Sequence, residues 1–172
     1  MNDITDINVL KYVIFTLRNF SLKPEFKQFI EPENALFEII LMLLFTNNDI
    51  EIKYELSWTL INITYYSNKF HSKLLRKDIL EKLFSLTFDK KLLIHTIWIF
   101  NNIISNDTIT LKSVLSALPE YKNRLKHLIN TVSSVEVKSL LIESLLTLCE
   151  KVKKPYNFVK VTLFININSI LN

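Results

Sequence analysis

The stretches Glu55-Leu-Ser-Trp58-Thr-Leu-Ile-Asn62-Ile63-Thr and His95-Thr-Ile-Trp98-Ile-Phe-Asn-Asn102-Ile103-Ile decide how this chain is read. Both carry Trp-x-x-x-Asn-Ile within an apolar helical pattern, and Trp and Asn each recur at an offset of 40 residues. The two Trp residues of the chain both lie in this register. Upstream, Phe15-Thr-Leu-Arg-Asn19-Phe20 repeats the pattern as aromatic-x-x-x-Asn-apolar, 43 residues before Asn62. Downstream, Ser139 to Glu150 keeps the helical pattern but loses both aromatic and Asn.

A period near 40 residues falls in the range of armadillo and HEAT repeats, in which helices stack on their sequence neighbours. The stretches between the copies fit that rhythm. Pro24 to Ile30 reads as a short helix and Glu33 to Phe45 as a longer apolar one, after which Asn47-Asn48-Asp49 breaks the pattern and caps the next helix. Asn68 to Leu75 and Lys77 to Phe88 repeat this short-then-long order. In the last copy Asn106-Asp107 opens a short helix, Pro119 opens Glu120 to Ile129, and Ser133 or Ser134 starts a fourth long helix. The expected fold is an all-α, right-handed α-solenoid of about four armadillo-type repeats in a single domain, 1–172. Its repeats span 1–22 (partial), 23–66, 67–105 and 106–152, with 153–172 as a cap or tail. The alternating pattern from Pro155 to Asn172 suits either a capping helix or an added strand.

Composition narrows the chemistry. The 172 residues are 49 % apolar and 22 % charged, enough apolar material for a continuous core. They include no Gly, whether through AT-rich coding, which the wealth of Ile, Asn, Lys and Phe would suit, or through structural choice. Without Gly there is no phosphate-cradling loop, dinucleotide-binding turn or nucleophile elbow of the usual kinds, since those need close backbone approach or positive φ. Cys149 is the single cysteine, so no intramolecular disulfide or Cys-based zinc site is expected, and a reducing intracellular compartment is favoured. His71, His95 and His127 have no metal-ligand spacing; His95 takes the place of Glu55 one repeat on, which suggests a contact between helices. No carboxylate pair is set for acid–base work, so no enzyme, metal or cofactor is expected. The start, MNDITDINVL, has no basic region of a cleavable signal, and the apolar run Ala35 to Phe45 is too short for a bilayer. Residues 1–66 hold 5 Lys/Arg against 9 Asp/Glu, and 67–172 hold 16 against 8, an acidic front and a basic rear. The basic runs Lys122-Asn-Arg124-Leu-Lys126 and Lys151-Val-Lys153-Lys154 lack interleaved aromatics, which disfavours nucleic acid as the partner.

The motif pair resembles the third helices of importin-α (karyopherin-α) armadillo repeats, with their Trp-Ala-Leu-x-Asn-Ile pattern. The close match covers two helices and the repeat-level likeness most of the chain. The resemblance implies that third helices line a concave groove that binds an extended peptide, probed by Trp58, Asn62, Trp98, Asn102, Phe15 and Asn19. Trp58 and Trp98 would be walls for Lys or Arg stems, and Asn62 and Asn102 would hydrogen-bond peptide backbone. The opposing assignment makes the Trp residues core aromatics and the Asn residues a ladder between helices. The implied partner is a protein or peptide, a basic nuclear-localisation signal first among them, and the implied setting nuclear import in cytoplasm and nucleus. The chain departs from the family in three ways: an acidic start in place of an Arg-rich segment, room for about four repeats rather than ten, and a basic stretch Leu74-Leu-Arg76-Lys77-Asp78 where lysine-selecting acids are expected, with Asp78 the sole acid. A structural scaffold subunit of a larger assembly, without peptide cargo, is the competing function.

Overall fold

The computed structural model describes residues 6–23, 25–31, 34–105 and 108–151. Among these residues all regular structure is helical: α1 (Ile7–Ser21), α2 (Phe26–Phe29), α3 (Ala35–Thr46), α4 (Ile50–Tyr66), α5 (His71–Leu74), α6 (Lys77–Leu86), α7 (Leu93–Ile104), α8 (Thr108–Ala117), α9 (Tyr121–Thr131) and α10 (Val135–Lys151), with a 3₁₀ turn at Asn68–Phe70 leading into α5. The order is a lone long helix followed by three triplets, each ending in a long helix that carries the motif or its degenerate copy. The expected boundaries are met within a few residues. Tyr121 rather than Glu120 opens α9, because Pro119 and Glu120 form the turn before it. The expectations for Asn106-Asp107 and for Pro155 to Asn172, and the side chain of Cys149, lie outside the described residues.

Short polar side chains start three of the long helices. Asp6 accepts from the Asn8 N–H at 2.9 Å, Asn34 from Leu36 at 2.8 Å, and Asp49 from Glu51 at 2.8 Å and Ile52 at 3.4 Å. Each satisfies a backbone donor that the first turn leaves without a partner. Helix ends show the consequence of having no glycine. In place of a left-handed cap, Ile30, Asn47, Ser67 and Val132 stop their helices in extended backbone, with ψ between 125 and 143°. A non-glycine residue makes this exit without strain, whereas positive φ would crowd its Cβ.

The chain divides into two compact units, 1–102 and 103–172, with the boundary inside α7. In the first unit α4 is the central helix, packed by α1 and α3. Ile52, Leu56, Leu60 and Ile63 of α4, Ile14 of α1, and Phe37, Ile40, Leu41 and Leu44 of α3 are all buried where these helices pack. Phe37 and Phe70 stack with ring centroids 4.7 Å apart, which fastens the 3₁₀ turn to α3. In the second unit α10 packs on α9 and α8. Its core is Val114, Leu118, Tyr121, Leu125, Leu128, Ile129 and Leu141.

Candidate functional site

Phe15 and Asn19 stand on α1, Trp58 and Asn62 on α4, Trp98 and Asn102 on α7, and the first unit brings all three copies of the motif into adjacent helices. The i, i+4 spacing puts each aromatic and its Asn on one face, a turn apart. Trp98 is 38 % and Phe15 47 % exposed, while Trp58 is half-buried between them. Trp58 meets Trp98 nearly edge-on at 6.2 Å, and also contacts Tyr54 at 6.2 Å and His95 at 4.8 Å. Tyr54, Trp58, His95 and Trp98 therefore form one cluster, with Trp98 at its more open edge.

The two buried-face asparagines have defined tasks. Asn62 Nδ2 donates to Ser21 Oγ at 2.8 Å, and Asn102 Nδ2 donates to Thr64 Oγ1 and to the Ile61 carbonyl, both at 3.1 Å. In each case the hydroxyl stands two positions after the Asn of the preceding copy, so the contact repeats with the motif. These amide nitrogens serve the ladder between helices that the sequence left open as their other role. Asn19 differs: its Oδ1 accepts from Arg18 at 3.1 Å.

Sequence reasoning passed over Arg18 and Glu55, which lie at the middle of this face. Arg18 Nε is 3.2 Å from Glu55 Oε2, and its guanidinium lies 5.2 Å from the Phe15 ring centroid and 5.6 Å from that of Trp58. The available signal was spacing, since Arg18 follows Phe15 by three and Glu55 precedes Trp58 by three, both on the motif face. His95, one repeat after Glu55, makes the contact between helices expected of it: its Nδ1 is 2.7 Å from Ser57 Oγ, and its ring stacks on Tyr54 at 4.3 Å. Burial pushes the His95 pKa down to about 4; a hydrogen bond with the Tyr54 backbone opposes this, and the Arg18 charge adds to it. The imidazole is thus neutral at physiological pH.

Several other acids of the first unit are held by bases of the same unit. Lys11 of α1 reaches Asp49 at 2.8 Å and Glu51 at 2.5 Å, pinning α1 to the cap of α4. Glu31 pairs with Lys69 and Glu38 with Lys73. Asp78 pairs with Arg76 at 3.0 Å, and that hydrogen bond holds its carboxyl below the usual range. Residues 1–102 contain 12 Lys/Arg and 12 Asp/Glu, so the unit bearing the motif face has no net charge and the basic excess belongs to 103–172. Beside the face, a groove of about 610 Å³ runs between α1 and α4, lined by Tyr12, Phe15, Tyr54, Glu51, Glu55 and Lys91 among others. Among the described residues no group of three or more His, Cys, Asp or Glu is placed to hold a metal ion, and no helix is long and apolar enough to cross a membrane.

Two solved structures share this architecture. A designed armadillo repeat protein in complex with the peptide (KR)4 matches over 87 % of this chain and 66 % of its own, with a TM-score of 0.63 and 19 % identity. An engineered protein matches over 95 % of this chain and 64 % of its own, with a TM-score of 0.65 and 17 % identity. The fold is armadillo-type. This chain is an all-α solenoid of several helical repeats, and it spans just under two thirds of the length of the two structures it resembles. No family model and no curated protein matches the sequence.

Proposed function

We propose that this armadillo-type chain is a peptide-binding module whose motif face, on α1, α4 and α7, takes an extended segment bearing Arg or Lys side chains. One observation carries the reading: a guanidinium, that of Arg18, already sits between the Phe15 and Trp58 rings against a carboxylate, so the face can hold such a cation. Trp98, exposed beside Trp58, is the next aromatic wall. The complex of the designed neighbour with (KR)4 supports the ligand class. The finer assignment is nuclear-localisation-type peptide and nuclear import, in cytoplasm and nucleus, as the resemblance to importin-α implies. The paired acids weigh against high affinity for a purely basic signal, because such a peptide competes with Lys11, Arg18 and Arg76 for the same carboxylates.

The test is a fluorescence-anisotropy titration of labelled (KR)4 and of a nuclear-localisation-type peptide, beside a peptide of equal length with Glu at the basic positions. Micromolar binding that Trp98→Ala weakens at least tenfold, with helical circular dichroism unchanged, supports the proposal. Absence of binding by a folded sample sinks it. The second reading, a scaffold subunit, is favoured by the apolar exposure of α1, where Ile7, Val9, Tyr12 and Val13 are exposed and Tyr12 is 74 % so. It would be recognised by stable co-purification with an assembly and indifference to the peptides.

A further inference from the structure

We infer that Phe15, Trp58, Glu55 and Asn19 form a guanidinium site of which Arg18 is the built-in occupant, and that an arginine-bearing segment enters by exchange with it. For the identity of the incoming group the inference rests on the peptide-binding reading; the site itself is formed by the chain's own residues. Two aromatic rings, a carboxylate oxygen and an amide carbonyl match the faces and the forked N–H donors of a planar guanidinium, which an ammonium matches less well. All four contacts converge on Arg18, at 5.2 and 5.6 Å to the rings, 3.2 Å to Glu55 and 3.1 Å to Asn19.

Two features make Arg18 a replaceable occupant. Its side chain is 23 % and that of Glu55 24 % exposed, so each side chain touches solvent at its edge although the facing atoms do not. Close as they are, Arg18 Nε and Glu55 Oε2 are buried and neither makes an aligned hydrogen bond. We assign this to the tether: Arg18 springs from α1 itself, one turn from Phe15 and next to Asn19, which limits how its guanidinium can meet a carboxylate on α4. An arginine on another chain has no such tether and can place two N–H groups side by side on Glu55, the stronger geometry. Exchange therefore replaces a poorly aligned pair by an aligned one and frees Arg18 to solvent. It also gives the face a preference for Arg over Lys.

The experiment uses the full chain as wild type, Arg18→Ala and Arg18→Gln, with ethylguanidinium, ethylammonium and (KR)4 as probes. The indole N–H resonances of Trp58 and Trp98 are read by two-dimensional NMR, with Trp98→Phe to assign them. The expected result is a saturable shift of the Trp58 indole by ethylguanidinium in Arg18→Ala, at concentrations that leave wild type unmoved and with a weaker response to ethylammonium. (KR)4 should then bind Arg18→Ala at least fivefold more tightly than wild type. Saturation by ethylguanidinium with no peptide binding to either form upholds the site and removes the peptide reading. No saturable Trp58 shift in a folded variant overturns the inference, as does weaker peptide binding by Arg18→Ala. Arg18→Gln keeps the stem that packs on the rings; loss of folding in both variants also overturns it, since Arg18 would then be a core strut.

Discussion

Ser21 and Thr64 accept from Asn62 and Asn102, so each rung joins a motif Asn to a hydroxyl on the motif helix of the preceding copy. Removing Asn62 leaves the Ser21 hydroxyl buried with one bond fewer, and Asn62→Ala should cost about 1–2 kcal/mol. Urea unfolding of Asn62→Ala, Ser21→Ala and the double variant should give a coupling of about 1 kcal/mol; additive losses would mean the rung contributes nothing. Trp98 belongs to a different class. It is exposed, so Trp98→Ala should change stability by well under the cost of Trp58→Ala, whose ring is enclosed by Tyr54, His95 and Arg18. The two tryptophans look equivalent in sequence because the motif is the same, but one is packed on both sides and the other is open on one.

Helix α4 is the element on which the first unit depends. It packs on both α1 and α3, and Leu60 on its inner side is fully buried. Leu60→Ala should therefore cost about 2–5 kcal/mol, measured by urea or thermal unfolding followed at 222 nm. At its start, Asp49 caps two backbone N–H groups and holds Lys11 of α1. Asp49→Ala should lower stability through loss of the cap, with Asp49→Asn recovering most of it, because Asn caps as well as Asp but carries no charge for Lys11. An equal loss in both variants would shift the weight to the ion pair. The helix pattern, the cap and the inward position of Leu60 were all legible in the sequence, since period, capping residue and apolar spacing are properties of one helix. The partners of Arg18 were not, because Glu55 comes to it from a helix whose rotation about its own axis is fixed by packing.

Acid should loosen the whole folded chain through His95. Its pKa of about 4 in the fold lies below the ordinary 6.5, so the unfolded chain binds the extra proton between those values. Stability is complete above about pH 6.5 and falls as pH drops from there toward 4. Arg18 faces the ring from α1 with its positive charge, reinforcing the preference for neutral imidazole, and Tyr54 on α4 supplies the opposing backbone bond. The effect is on the order of 2 kcal/mol, below the full value of the shift because solvent screens part of it. Unfolding free energies from pH 7.5 to 4.5 for wild type and His95→Gln should converge with the variant losing this slope; an unchanged slope would place the acid sensitivity elsewhere. At the same scale, the absence of net charge on 1–102 means that the proposed basic peptide would gain little from long-range attraction and would depend on contacts.

The sequence by itself determined the all-α class, the repeat near 40 residues, the positions of the helices and which faces carry the motif. These follow from local spacing and from capping residues. Only the tertiary structure decided that Asn62 and Asn102 bond to the motif helix of the preceding copy, that Arg18 occupies the space over Trp58, and that Asp49, Glu51, Glu55 and Asp78 are held by the chain's own bases. Most of those meetings join residues on different helices, many about 40 apart in sequence, and even the short-range ones depend on which way a side chain turns. Period tells which side of a helix a residue occupies, but the packing of α1 and α7 on α4 chooses what stands opposite it.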